Sequence, residues 1–389
     1  MHSALLVFVL GLLPSAAPAQ PKSSNIPINH ALESIQAKSV LPGFCVAIVD
    51  GAGVRYSRGF GYANIAQQLP YTANTVQPIA SVTKTLIAVS LMQSVERGYF
   101  TLDTDVSSVV PFNVRNPRFP KVPITIRQLA THTSSIIDRD PFYGDSYFNG
   151  VQTKFDIKDL LQSYLSPDGN AYSAGNFSKE RPSAAYEYSN LGATLAALAV
   201  ETKAGTSYAK FTQANILEPL HMDASGWSSL STKEVVATLY DKHKKPIAPY
   251  SFPSYPDGGL FTSCNDLGKF LAAMISGYEG KPGIMSATSF REMFSAQFPK
   301  DRQPKNVSPG DGLDAGIIWE RSLHGELGHT GGDPGVTTQI YFDPSTGTGR
   351  VLLTNMSDLD DDQKDMDREL HNIWNALGKY EGSLESPKR

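Results

Sequence analysis

Strand-like runs stand at both ends of this chain with helical patterns between them, and that arrangement restricts the fold more than any other feature of its 389 residues. Near the start, Phe44 to Asp50 and Val54 to Phe60 meet at Asp50-Gly51-Ala52-Gly53, which predicts a β-hairpin. Near the end, Thr337 to Phe342 and Arg350 to Asn355 flank the turn-rich Asp343 to Gly349. The intervening pattern is helical: Ser81 to Glu96, Thr125 to Thr131, Ile157 to Tyr164, Leu191 to Lys203 and Asp266 to Ile275. Gly98 and Gly205 follow the last apolar positions of two of these as C-terminal stops. An amphipathic stretch from Asn29 to Lys38 precedes the first strand, and a helix from about Asp361 to Leu377 closes the pattern. No period of 20 to 50 residues recurs, which excludes solenoids and propellers. The expected fold class is α/β (α+β): an antiparallel sheet built from both termini, flanked by helices, with a mainly helical region inserted in it. Residues 24–75 and 305–380 are expected to form the sheet region and 76–304 the insert, all within one domain. A site at the seam between them is the natural consequence.

Residues 1–19 read as a leader cleaved after Ala19, with an apolar run from Ala4 to Leu13 and small residues at Ala17-Pro18-Ala19. That run is shorter than the about 20 residues a bilayer span needs, so the chain is expected to be secreted or periplasmic, without stable membrane insertion. A net charge of -4 and a pI near 6.1 give no electrostatic ground for a nucleic-acid partner. Cys45 and Cys264 fit either a disulfide or two buried thiols. Asn176, Asn306 and Asn355 each open an Asn-x-Ser sequon.

Ser81-Val82-Thr83-Lys84 opens a stretch that is apolar around most of its circumference, hence a buried helix. The spacing puts Ser81 and Lys84 one turn apart on one face, with Ser81 at the end where backbone N–H groups lack helical partners. Burial disfavours a charged lysine, so Lys84 is expected as a neutral amine able to take the serine proton. The competing reading is a helix cap and a lysine reaching for water, the role assigned to Ser207 and Lys210, which share the spacing. A proton relay to a leaving group needs a phenol or similar group. Tyr62-Ala63-Asn64, Tyr147-Phe148-Asn149 and Tyr188-Ser189-Asn190 each offer one, and composition does not choose among them. Gly328-His329-Thr330-Gly331-Gly332 precedes a predicted strand, and its glycines would let a substrate approach the backbone, as an oxyanion hole requires.

With these three segments in that order, the sequence resembles the penicillin-recognising serine hydrolases related to class C β-lactamases. That group includes secreted D,D-carboxypeptidases, D-aminopeptidases and β-lactamase-like esterases. The resemblance runs from about Ile26 to Asn355 through PGFCVAIVDGAGVRYSRGFGYAN, PITIRQLATHTSS, EYSNLGATLAALAVE, DGGLFTSCNDLGKFL and GHTGGDPGVTTQIYFDPSTG. It implies a β-lactamase/transpeptidase-like fold with Ser81 as the acylated nucleophile and Lys84 as its activator. Tyr188, in the matching EYSNLGA block, would carry the proton to the leaving group. Asn190 would bind the substrate amide and hold Lys84, the amides of Ser81 and Gly332 would form the oxyanion hole, and His329, Thr330 and Gly331 would belong to the opposite wall.

Two departures qualify the resemblance. His329 stands where class C β-lactamases carry lysine, which argues against efficient β-lactam hydrolysis, and Ser135 stands where relatives carry glycine. An α/β-hydrolase elbow, G-x-S-x-G, is absent, as is H-E-x-x-H. Asp358, Asp360, Asp362 and Glu369 imitate a calcium loop, but Gln363 occupies the glycine position. The expectation is an exported serine hydrolase of a small-molecule or peptide ester or amide, with no metal or organic cofactor and no oligomeric state assigned. The alternative is a non-catalytic relative that binds peptide or cell-wall fragments or self-assembles.

Overall fold

The computed structural model describes residues 26–151, 156–298, 301–307, 316–357 and 364–382, so the expected leader and Asp358, Asp360 and Asp362 lie outside the described residues. Eleven strands are described. β1 (Gly43–Asp50), β2 (Gly53–Asn64) and β3 (Leu69–Pro70) come first. The short β4 (Val76–Pro78), β5 (Phe148–Asn149), β6 (Tyr250–Ser251) and β7 (Phe261–Ser263) follow, then β8 (Glu320–Arg321), β9 (Leu327–Asp333), β10 (Val336–Asp343) and β11 (Thr348–Thr354). The two outer groups form one seven-stranded antiparallel sheet in the order β3-β2-β1-β11-β10-β9-β8, which joins the two ends of the chain through β1 and β11. β4 pairs with β7 and β5 with β6.

The helices are α1 (Ile26–Gln36), α2 (Lys84–Glu96), α3 (Ile126–Ala130), α4 (Ile157–Leu165), α5 (Asn190–Ala204), α6 (Tyr208–Thr212), α7 (Cys264–Tyr278), α8 (Ala287–Phe294) and α9 (Lys364–Glu381). β1 is buried on both faces, and its alternation sorts the layers. Phe44, Val46 and Ile48 join Ile28 and Leu32 of α1 and Ile373 and Leu377 of α9 on one side. Cys45, Ala47 and Val49 join Leu267, Phe270 and Leu271 of α7 on the other. Each Val, Leu, Ile and Phe among them contributes about 1.5–3 kcal/mol by leaving water. α7 therefore packs on the sheet although it lies between 76 and 304 in the chain. α2 and α5, apolar on all sides, are buried along most of their length and pack on each other. Gly205 ends α5 at φ +64°, and a Thr125/Gln128 capping box opens α3.

Several expectations are corrected. His329 to Gly332 precede the expected strand, now β10, but they are themselves strand and not loop, because β10 pairs with this segment residue by residue, Gly332 opposite Thr337. Cys45 and Cys264 are free and buried, and burial with Cys45 beside it pushes the Cys264 thiol well above its ordinary range. Asn176 and Asn355 are fully buried with engaged amides, so of the three sequons only Asn306 is exposed. Glu369, which only imitates a calcium-loop position, accepts hydrogen bonds from Val40 N–H and Ser39 Oγ and ties α9 to the segment entering β1.

Candidate active site

Ser81 sits in a 3₁₀ turn, Ala80–Thr83, that runs directly into α2. Ala80 adopts φ +46°, a conformation disfavoured for a residue with a Cβ, and this sharp entry leaves Ser81 half-buried at the head of the helix. β9 passes against the turn at Gly331, where an added Cβ would stand 2.5 Å from the Ile79 carbonyl oxygen and 3.0 Å from the Ser81 nitrogen. Only a glycine allows that approach. At Gly332 an added Cβ would meet nothing within 4 Å, so this residue borders open space beside the serine turn.

Lys84 is fully buried. Its Nζ donates to Ser81 Oγ at 2.9 Å and to the Asp257 carbonyl oxygen at 2.7 Å, and lies 5.1 Å from the Tyr188 ring centroid. Burial alone lowers the lysine pKa, but Tyr188, Asp257 and Asp138 around it raise it further, and the net shift is upward. The direction is opposite to that expected for a neutral amine, and the Nζ position suits donation to the serine oxygen and the carbonyl beside an aromatic face. Asp257 is buried too, accepting from Thr194 Oγ1 at 3.1 Å and Tyr143 OH at 3.2 Å, and desolvation pushes its carboxyl up to about 6 against the pull of Lys84.

Tyr188 is 38% exposed and precedes α5. His132 holds the three residues around it: its carbonyl accepts Glu187 N–H at 2.7 Å, its ring stacks on Tyr188 at 4.3 Å, and its Nδ1 accepts Ser189 N–H at 3.1 Å. Burial, with Lys84 and His329 adding to it, drives His132 down to about 3, so the ring stays neutral and Nδ1 remains an acceptor. Asp138 closes the start of α5 by accepting from Ser189 Oγ at 2.7 Å, Leu191 N–H at 3.1 Å and Asn190 N–H. The Asn190 side chain is half-buried at the same end, but no hydrogen bond joins it to Lys84 among the described residues. The Asp257 carbonyl takes that holding role.

On β9 the pattern is alternate. His329, Gly331 and Asp333 are buried and Thr330 and Gly332 exposed. His329 therefore shares with Gly331 the face of β9 that is turned to the serine turn, with Lys84 and His132 in its electrostatic reach; its Nδ1 meets the Thr330 carbonyl and its Nε2 lies 3.9 Å from Glu320 Oε1. Desolvation lowers its pKa despite Glu320, so no permanent cation occupies this position. Asp333 accepts from Tyr147 OH at 3.0 Å and is pushed up to about 7 by burial. Tyr147 thus leaves the set of relay candidates, and Tyr62, on β2, is exposed and outside this cluster. Ser207 caps α6 by accepting Lys210 N–H, and Lys210 is exposed, as the competing reading required.

The structure brings Ser81, Lys84, Tyr188 and Gly331 together, and places beside them His132, Asp138, Asp257 and Asp333, which sequence reasoning did not single out. All four lie in or beside the quoted blocks, but single buried polar residues have no spacing signature. Ser135 keeps φ +68°, so the left-handed turn persists where a glycine was expected. Among the described residues no group of three or more His, Cys, Asp or Glu is placed to hold a metal ion, and no helix is long and apolar enough to cross a membrane.

Against known proteins, the model of the β-lactamase family matches residues 28–373. Penicillin-binding protein 4* of Bacillus subtilis is 25% identical over 322 residues, 77% of this chain and 65% of that protein, so the chain spans less than two thirds of this relative. The D-alanyl-D-alanine-carboxypeptidase/endopeptidase AmpH of Escherichia coli is 22% identical, over 87% of this chain and 86% of AmpH. Among solved structures, the octameric penicillin-binding protein homologue from Pyrococcus abyssi superposes with a TM-score of 0.67 at 26% identity, over 85% of this chain and 73% of that one. D-amino acid amidase from Ochrobactrum anthropi does so at 0.69 and 22% identity, over 91% and 99%.

Proposed function

The chain belongs to the β-lactamase family, and we propose on that premise that it is an exported hydrolase that cleaves an ester or amide through an acyl-enzyme on Ser81. The observation that carries the reading is the buried Lys84 Nζ held 2.9 Å from Ser81 Oγ and fixed from behind by the Asp257 carbonyl. Ser81 Oγ forms the bond to the substrate carbonyl carbon, and the N–H groups of Ser81 and Gly332 receive the oxyanion. The serine proton passes to the Lys84 and Tyr188 pair acting as one carrier, which can take it in the state that holds one proton fewer than an ammonium beside a phenol. Tyr188 returns the proton to the departing alcohol or amine. Water then attacks the acyl carbon by the reverse relay and frees Ser81.

The neutral, buried His329 supports a substrate choice in which no carboxylate has to be paired at that wall. Neutral esters and peptide-like amides therefore suit the site better than β-lactams, with Thr330 and Asn190 contacting the acyl group. The test is hydrolysis of a short-chain chromogenic ester beside Ser81→Ala. Turnover in the parent and its loss, by at least about 10³-fold, in the variant is expected. Equal rates in the two proteins overturn the proposal in favour of a non-catalytic binding role.

A further inference from the structure

A cavity of about 660 Å³ lies behind the nucleophile turn, and Ser81, Lys84 and Tyr188 are not among its lining residues. That size is in the range of sites that enclose a small molecule. Its walls are rings and branched chains, chiefly Trp227, Val236, Leu239, Ile247, Tyr250 and Phe261. The polar tips of its aromatic residues are already engaged. Trp227 Nε1 donates to Thr212 Oγ1 at 2.9 Å, the Tyr250 hydroxyl donates to the Pro334 carbonyl at 3.1 Å, and the Tyr255 hydroxyl accepts Ala209 N–H at 3.2 Å. What these residues offer a ligand is ring face, which suits hydrocarbon.

Two further observations concern the rim. Exposed large apolar side chains gather on the segments that build the cavity: Phe148 and Val151 at 40%, Leu230 at 73% and Val235 at 39%. The bridge between Tyr240 and Pro246 folds residues 241–245 into a turn at the head of the Pro246 to Tyr250 wall. This turn carries Lys244 and Lys245, both exposed, and is closed by Asp241, which accepts His243 and Lys245 N–H at 2.9 and 2.8 Å. An apolar chamber beside a cationic turn fits a ligand with a hydrocarbon tail and a negative head.

We propose that this cavity binds a single-chain anionic amphiphile, such as a fatty carboxylate, with its tail among the rings and its head at the 241–245 turn. The proposal does not depend on the hydrolase reading. The two sites share a wall, because Ala80, next to Ser81, packs with Leu239 and Val336, and Ile247 and Tyr250 join that cluster.

The experiment is a calorimetric titration of the full protein with sodium dodecanoate below its micelle-forming concentration. One saturable site is expected. Ser229→Trp, which fills the chamber from its half-buried edge, should weaken binding about tenfold or more. The double variant Lys244→Glu/Lys245→Glu, on an exposed turn where folding is not at risk, should weaken dodecanoate about 3- to 10-fold and leave neutral dodecyl maltoside unchanged. Absence of saturable binding, equal affinity in both variants, equally tight binding of dodecyltrimethylammonium, or binding to anionic vesicles without binding to free dodecanoate would each overturn it.

Discussion

Gly331 is the residue at which the site tolerates least. An added Cβ would press on the Ile79 carbonyl and the Ser81 nitrogen, both backbone atoms that cannot swing aside. Gly331→Ala is expected to cost about 1–3 kcal/mol in urea denaturation and to reduce ester turnover at least about tenfold, because the serine turn and β9 must separate. Gly332→Ala, with no atom within 4 Å of the new methyl, should leave the denaturation midpoint nearly unchanged. Charge behaves differently from shape. Asp333 is held at about 7, above its ordinary value near 3.8, so the native state keeps a proton that the unfolded chain has released between those pH values. Native stability therefore falls as pH rises from about 4 to about 7. Asp333→Asn removes that loss, and its stability relative to the parent should rise across the same window by on the order of 1–3 kcal/mol. A pH-independent difference between the two proteins would contradict the assignment. At this scale the serine and lysine were legible from their spacing, whereas the direction of the shift at Lys84 was not, because Asp138 and Asp257 reach it from residues 54 and 173 positions away in the chain.

Among elements, α5 matters most to the proposed chemistry because Tyr188 leads into it and Asn190 opens its first turn. Its start is capped twice: Ser189 Oγ accepts Gly192 N–H at 2.9 Å, and Asp138 receives three donors from residues 189 to 191. Asp138→Asn turns an amide nitrogen toward those donors. It should lower stability by about 1–3 kcal/mol and slow ester hydrolysis through a looser Tyr188, both measurable on one preparation. Helices with a run of apolar positions and a glycine stop were readable from sequence, as α5 and its Gly205 illustrate. The elements that escaped prediction are short: α6 and α8 span five and eight residues, and β4 to β7 two or three each. Pieces of that length form because surrounding packing holds them, so their own sequences carry little period. β9 escaped for another reason, since the glycines that mark a loop here permit a strand to lie against the serine turn.

For the whole molecule, the sheet was legible in outline because both ends of the chain carry alternating apolar runs, and β1 beside β11 is the seam that joins them. The site forms where this sheet's β9 meets the helix pair α2 and α5, so each of the three motifs arrives on a different element. The buried Lys84 amine, the buried acids Asp138 and Asp257 and the neutral His132 surround the Ser81 hydroxyl there. The measurement that bears most directly on this arrangement is intact-mass and peptide-mapping mass spectrometry of the protein quenched in acid during turnover of an activated ester. One acyl group per chain, located on Ser81 and absent from Ser81→Ala, is the predicted result. An adduct on another residue, or hydrolysis that persists in Ser81→Ala, would contradict the assignment of Ser81 as nucleophile.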